Sequence, residues 1–160
     1  MGLNPMSAQP AYSYDDVYYF MDEFGFMLDY AVNFLHYEPQ QFVTMFLDSS
    51  LPYQIERGNI KYIAGMTGVE LAWRVEEEIL HVDTDNEREL TQVTGYACTG
   101  STDWWVGSML AFYQWHSGRS FREILGKVPL HTFYDLYGKY HQMAEERFLE
   151  RLDEICAEAA

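Results

Sequence analysis

The sequence predicts an all-α protein: a compact single-domain bundle of about seven helices, with one mostly apolar helix, residues 102–116, at its centre. Three observations predict this class. Apolar residues recur at spacings of three and four along most of the chain, which is the period of one helix face. Helix start and stop residues separate these periodic segments. The chain has 160 residues, 48% hydrophobic and 17% aromatic, which suffices for one packed core.

The first predicted helix begins at Ser13, which has Asp16 three residues later as a capping pair. Residues 1–12 precede it. Because the start of this segment has no basic residue and no apolar stretch, a disordered tail is predicted rather than a signal peptide. A single helical domain is expected over residues 13–160. The apolar stripe of the first helix comprises Val17, Phe20, Met21, Phe24, Met27, Leu28, Ala31, Phe34 and Leu35.

Proline, glycine and a capping box mark the next three helices. Pro39 suits the first turn of a second helix, and a short third segment begins at residues 50–52 and ends at Gly58. Thr67 and Glu70 form a capping box for a helix that runs to about Leu80. The predicted inner face of this helix carries Val69, Ala72, Val75 and Ile79, and the predicted outer face carries Glu76, Glu77 and Glu78.

The helical pattern is lost over residues 81–100, which are polar and acidic. An irregular acidic loop is predicted there, and a short hairpin over residues 92–97 is the alternative. The apolar helix that follows is capped by Ser101 or Thr102. It is apolar nearly all round, so other helices are expected to cover every side. Gly107 costs helix stability, which indicates close approach of a neighbouring helix.

Three more helices complete the bundle. Capping residues and glycines predict them over residues 120–126, 129–138 and 139–158. In the last of these helices, His141 lies on the apolar stripe and Glu145 follows four residues later. The pair could share a metal or a proton, but no further ligand has suitable spacing. A buried, hydrogen-bonded structural histidine is therefore the favoured interpretation.

The remaining motifs do not indicate chemistry. The turn at residues 65–68 precedes a helix, but it lacks the Lys-Ser/Thr of a phosphate-binding loop. No nucleophile elbow is present. The sequence therefore predicts no enzyme, no metal site and no cofactor. Cys98 and Cys156 are expected to be free thiols of a cytoplasmic protein, with a disulfide between them as the alternative.

The net charge of −15, from 10 Lys and Arg against 25 Asp and Glu, is the most unusual total. Such a surface repels nucleic acids and anionic membranes, so neither is expected as a direct partner. No run of 18 apolar residues indicates a transmembrane helix. A basic protein, either a toxin or a nucleic-acid-binding protein, is the expected partner. The alternative is that the charge only aids solubility.

Two segments, residues 55–72 and 103–142, resemble a family of uncharacterised small proteins from gut Firmicutes and Actinobacteria. With the amphipathic first helix, the resemblance covers most of the chain from about residue 15. The motifs that carry it are Gly58-Asn59, Lys61-Tyr62, Gly65-Met66-Thr67-Gly68, Glu70-Leu71-Ala72, Trp105, Phe112-Tyr113-Gln114-Trp115, Ser120-Phe121 and Tyr140-His141.

What the resemblance implies concerns genetic context, since the family has no established activity. Its members are encoded beside toxin–antitoxin-like genes, including genes for predicted toxins of the ADP-ribosyltransferase type. The chain departs from the family pattern at Gln142 and Ala144, where members carry acidic residues, and at Ile60, where they carry proline. The resemblance thus implies an antitoxin-like role for the chain, and the missing acids argue against a catalytic role for His141.

Three functional hypotheses follow. The first is a non-enzymatic, antitoxin-like module that neutralises a basic partner protein. The second is a phage-type inhibitor that imitates nucleic acid, like an anti-CRISPR protein, because rows of carboxylates can match the charge density of a duplex. The third is a helical scaffold or homo-oligomer whose acidity is incidental; the oligomeric state itself is not predicted. The residues expected to contact a partner are Glu76, Glu77, Glu78, Asp83, Asp85, Glu87 and Glu89.

Overall fold

A computed structural model describes residues 9–98 and 100–159. Over these residues the chain forms ten α-helices and one π-helical segment, with no strand. The all-α prediction is confirmed, whereas the expected number of about seven helices is too low. The elements are α1 Tyr14–Asp29, the π-helical segment Tyr30–Phe34, α2 Pro39–Asp48, α3 Leu51–Glu56, α4 Ile60–Ile63, α5 Gly68–Leu80, α6 Asp85–Thr94, α7 Thr102–Ser117, α8 Phe121–Lys127, α9 Leu130–Tyr140 and α10 Glu145–Glu158.

Four helices begin with the side-chain caps that the sequence predicts. The hydroxyl oxygens of Ser13, Ser101 and Ser120 accept hydrogen bonds from the backbone N–H three residues later, at 3.1, 3.2 and 3.1 Å. Thr67 and Glu70 form a reciprocal capping box at α5, with distances of 3.2 and 3.4 Å. These contacts satisfy N–H groups that have no partner within the helix.

α1 and α7 form the most extensive helix pair of the structure. Gly25 and Gly107 lie where they cross. A Cβ atom at Gly107 would lie 3.0 Å from the Cα atom of Gly25, and one at Gly25 would lie 2.7 Å from the backbone oxygen of Trp104. The expectation that Gly107 admits a neighbouring helix is therefore confirmed. All residues from 105 to 114 of α7 are buried.

The prediction of an irregular loop over residues 81–100 is wrong, because residues 85–94 form α6. No hairpin forms at residues 92–97 either, within the part of the chain that the structure describes. Asp85 and Glu87 stand in the first turn, where negative charge favours the positive end of the helix dipole. α6 has no buried residue, so the sequence contains no apolar stripe that would have revealed it. Gly95, with φ of 73°, ends the helix.

The boundary between the last two helices also differs from the prediction. α9 continues through Gly138 to Tyr140, and α10 begins only at Glu145. An internal glycine costs about 1 kcal/mol, which the burial of Tyr140 offsets. His141 is exposed rather than buried. Its ring stacks on Tyr137 at 4.2 Å, and its Nδ1 atom lies 2.6 Å from the Tyr137 carbonyl oxygen.

The N-terminal segment joins the core one residue before the predicted domain start. Residues 1–8 of the predicted tail lie outside the described residues. Tyr12 is buried, and its carbonyl oxygen accepts a hydrogen bond from Trp115 Nε1 at 2.8 Å. Cys98 and Cys156 are both described and are not joined to each other. None of the described helices is long and apolar enough to cross a membrane.

Candidate functional site

The seven carboxylates predicted to contact a partner lie on α5, on α6 and on the link between them. We call this region, residues 68–94, the α5–α6 edge. Three of the carboxylates are exposed, whereas four are buried or half-buried in contacts within the chain. The exposed residues are Asp83, Asp85 and Glu89, and the others are Glu76, Glu77, Glu78 and Glu87.

Glu76 lies inside the molecule, so its predicted position on the outer face of α5 is wrong. Its side chain is 3% exposed. The reason is the helix period: Glu76 follows the buried Ala72 by four residues and therefore shares its face. The hydroxyl group of Tyr37 donates a hydrogen bond to Glu76 Oε2 at 2.7 Å. Partner binding at the other six carboxylates stays a prediction.

Glu76 and Glu87 form a buried carboxyl pair. Glu76 Oε1 and Glu87 Oε2 are both buried and have no donor group among the described residues. Burial raises the pKa of Glu76 to about 8, assisted by the neighbouring Glu87 carboxyl group and by the charge of Glu77, while the Tyr37 hydrogen bond lowers it. Two carboxylates this close cannot both ionise cheaply. A proton on Glu76 would let its carboxyl group donate to the Glu87 oxygen, which otherwise has no donor in the described part of the chain.

Arg88 fastens α6 to α5 from the other side of the carboxyl pair. Its guanidinium group lies 3.2 Å from Glu77 Oε2 and 4.4 Å from the ring centroid of Trp73. Arg88 Nε donates to the hydroxyl oxygen of Thr84 at 2.8 Å, and that hydroxyl donates to Glu77 at 2.8 Å. The charge of Glu77 is thus paired within the chain.

Tyr30, in the π-helical segment, provides a third attachment for α6. Its hydroxyl group shares a hydrogen bond with the Thr91 hydroxyl at 2.8 Å and accepts one from Trp73 Nε1 at 3.0 Å. Burial raises the pKa of Tyr30, which keeps the phenol neutral. α6 is therefore held by polar contacts and a cation–π contact rather than by an apolar face of its own.

Glu78 stabilises a different helix. Its carboxylate accepts hydrogen bonds from the backbone N–H and the hydroxyl of Ser50, at 2.5 and 2.9 Å. Ser50 is the residue that precedes α3. A carboxylate at this position satisfies an N–H group at the start of a helix and favours the helix dipole. Glu78 thus has a structural role that its place in a run of three glutamates did not indicate.

The segment after α6 is anchored by a buried aspartate that the sequence analysis did not single out. Asp29 is 2% exposed. It accepts hydrogen bonds from the Tyr96 hydroxyl at 2.5 Å, from Asn33 at 2.9 Å and from the Ser101 hydroxyl. Burial and the Asp29 charge raise the pKa of Tyr96. Both ends of α6 are therefore tied to the helical core.

Exposed apolar side chains accompany the exposed carboxylates of the α5–α6 edge. The exposed fractions are 46% for Leu80, 49% for Val82, 53% for Leu90 and 79% for Val93. On α6, a spacing of three residues places Leu90 beside Val93, and a spacing of four residues places Glu89 beside Val93 as well. This apolar set was not predicted from the sequence, although the spacing of Leu90 and Val93 in a polar stretch is a signal for it.

The site has no feature of a metal centre. Within residues 9–98 and 100–159, no group of three or more His, Cys, Asp or Glu side chains could hold a metal ion.

The chain matches no protein-family model, no curated protein and no solved structure.

Proposed function

We propose that this protein is a non-enzymatic, antitoxin-like binding module that neutralises a basic partner protein through the α5–α6 edge. One observation carries the proposal: exposed apolar side chains and exposed carboxylates lie together on a helix that buries no residue of its own. Apolar groups clustered beside polar ones are typical of interaction sites. The resemblance of residues 55–72 and 103–142 to proteins encoded near toxin genes supports the same role.

The chemistry of the edge favours a partner segment that is both basic and amphipathic. Burying a fully exposed leucine or valine contributes roughly 1.5–3 kcal/mol, so Leu90 and Val93 would supply affinity. Asp83, Asp85 and Glu89 would pair with Lys or Arg of the partner, which accelerates encounter and selects against acidic partners. Burial excludes Glu76 from direct contact, whereas the half-buried Glu77 and Glu78 already accept bonds within the chain.

Co-expression tests this proposal. The neighbouring gene is expressed in a bacterial host, alone and together with this chain. We expect the neighbour to arrest growth and this chain to restore it. A Leu90→Ser, Val93→Ser double variant should lose rescue. The matched control is Tyr53→Ser with Ile60→Ser, two side chains that are similarly exposed, at 58% and 57%, on α3 and α4; it should keep rescue.

The outcomes separate the three hypotheses. Failure of the wild-type chain to rescue growth, or equal rescue by both double variants, would contradict the proposed role of the edge. Inhibition of a nucleic-acid-binding protein that excess duplex DNA relieves would indicate nucleic-acid mimicry instead. A mass that doubles with concentration and is halved by the Leu90→Ser, Val93→Ser change would indicate a second copy of this chain as the occupant.

A further inference from the structure

A cavity of about 230 Å³ opens between α1, α7, α9 and α10, and the proposed function does not use it. Its floor is buried and apolar, and its rim is more exposed. Five aromatic side chains line it. They are Tyr18, Trp104, Trp105, Tyr140 and Phe148.

Two carboxylates, Asp22 and Glu145, stand at the rim of this aromatic cavity. The Tyr18 hydroxyl donates a hydrogen bond to Glu145 Oε2 at 3.2 Å. Neither carboxylate forms a salt bridge with a Lys or Arg among the described residues. Partial burial raises the pKa of both carboxyl groups, as expected for acids that no cation pairs with.

Among the described residues, the lining holds no permanently charged cation. The lining residues that the structure describes include no Lys or Arg. Lys139 lies outside the cavity, with its Nζ atom 5.3 Å from the centroid of the Tyr140 ring. His141 and Met143 complete the rim. A cavity with aromatic walls and an acidic opening attracts organic cations, since the faces of aromatic rings and the carboxylates both favour positive charge.

We infer that this cavity binds a small free alkylammonium compound, with the cationic head group against the aromatic walls and the carboxylates of Asp22 and Glu145 at its side. The volume of about 230 Å³ accommodates a head group of a few methyl groups. The weak hydration of a quaternary ammonium ion lowers the cost of entering an apolar floor, so this class should bind better than an inorganic cation.

Isothermal titration calorimetry with choline chloride tests the inference on the full chain. We expect saturable binding with a Kd on the order of 1 mM or tighter. The neutral isostere of choline, in which carbon replaces the nitrogen, should bind about tenfold more weakly because it lacks the charge. Sodium chloride at equal ionic strength should give no saturable heat.

Two charge-matched variants locate the site. Glu145→Gln should weaken choline binding about fivefold to tenfold. The control Glu146→Gln removes the same charge one residue along the chain, from an exposed side chain outside the cavity, and should change the Kd less than about twofold. Asp22→Asn should behave like Glu145→Gln. A circular dichroism spectrum identical to wild type confirms that each variant is folded.

Three results would overturn the inference. The first is no saturable heat with choline, and the second is equal binding of choline and its neutral isostere. The third is an equal effect of Glu145→Gln and Glu146→Gln on choline binding. That result would show that the overall negative charge of the surface attracts choline, without a specific site. Tighter binding of a short trimethyllysine peptide than of choline would overturn the assignment to a free small molecule and move the site to a protein side chain.

Discussion

Glu76 remains protonated at neutral pH because its carboxyl group is buried against a second carboxyl group. Its pKa is about 8 in the folded protein against 4.5 for the free side chain. A carboxyl group with a raised pKa makes the folded state bind more protons than the unfolded state between these two values. The contribution of this group to stability is therefore full below about pH 4.5 and is lost as the pH rises towards 8.

Substituting Glu76 by glutamine should remove this loss of stability at high pH. Glutamine keeps an acceptor for Tyr37 and a donor for Glu87 but cannot ionise. We expect the Glu76→Gln variant to match wild type near pH 4 and to exceed it by roughly 1–3 kcal/mol at pH 9, measured by urea unfolding at a series of pH values. Glu89→Gln, an exposed change of equal charge, should leave the pH profile unchanged. A Glu76→Gln profile parallel to wild type would refute the buried pair.

Local contacts explain which residues the sequence could predict. The caps at Ser13, Ser101 and Ser120 depend on an N–H group three residues away, so their patterns are visible in the sequence itself. The burial of Glu76 depends on Tyr37, 39 residues earlier in the chain, and on Glu87 across a helix boundary. The four-residue spacing from Ala72 places Glu76 on the inner face, but a run of three glutamates ordinarily indicates a solvated face, and its buried polar partners are not local in sequence.

At the scale of elements, the crossing of α1 and α7 is set by two glycines. Gly25→Ala should destabilise the protein by about 2 kcal/mol or more, because the new methyl group would lie 2.6 Å from Trp104 Cδ1 and 2.7 Å from its backbone oxygen. Gly138→Ala is the control. Nothing lies within 4 Å of a Cβ atom there, so this exposed helical position should gain about 0.5–1 kcal/mol. Urea unfolding measures the change in the free energy of unfolding for each variant. Destabilisation by both variants would contradict the difference in packing.

α6 should open locally before the rest of the molecule, since it has no buried residue. Arg88→Ala removes the ion pair with Glu77, the bond to Thr84 and the contact with Trp73. We expect amide hydrogen exchange over residues 85–94 to accelerate about tenfold or more, while exchange in α7 stays as in wild type. Arg151→Ala, which removes an exposed pair with Glu154, is the control. Unchanged exchange in α6 after Arg88→Ala would show that other contacts hold the helix.

Helix periodicity explains which elements the sequence could predict. α1, α2, α5 and α7 have buried positions or caps that stand out against polar neighbours. α6 attaches instead through Arg88, Thr91 and the protonated carboxyl group of Glu76. No apolar stripe in the sequence therefore marks it as a helix. The lack of an apolar stripe also explains why the apolar part of the candidate site was not predicted. Leu90 and Val93 are exposed and resemble isolated residues in a polar loop.

For the whole molecule, the net charge of −15 should oppose folding through mutual repulsion. Raising NaCl from about 0.01 M to about 1 M shortens the screening length from roughly 30 Å to roughly 3 Å. We expect the Tm to rise by about 3–6 °C, measured by circular dichroism. The Asp83→Asn, Asp85→Asn, Glu89→Gln variant should show a smaller rise. A Tm that falls or stays constant with salt would indicate that internal pairs such as Arg88–Glu77 outweigh repulsion.

The contact between Gly25 and Gly107 also restricts how this sequence can vary among relatives. A Cβ atom at Gly25 would lie 2.7 Å from the backbone oxygen of Trp104, and one at Gly107 would lie 3.0 Å from the Cα atom of Gly25, so a side chain at either position requires the neighbouring helix to shift. The two positions should therefore remain small together, or change together with the volume of residue 104. A pair of small residues at these helix crossings, coupled to an aromatic residue three positions before the second, is a signature by which distant relatives of this chain could be recognised.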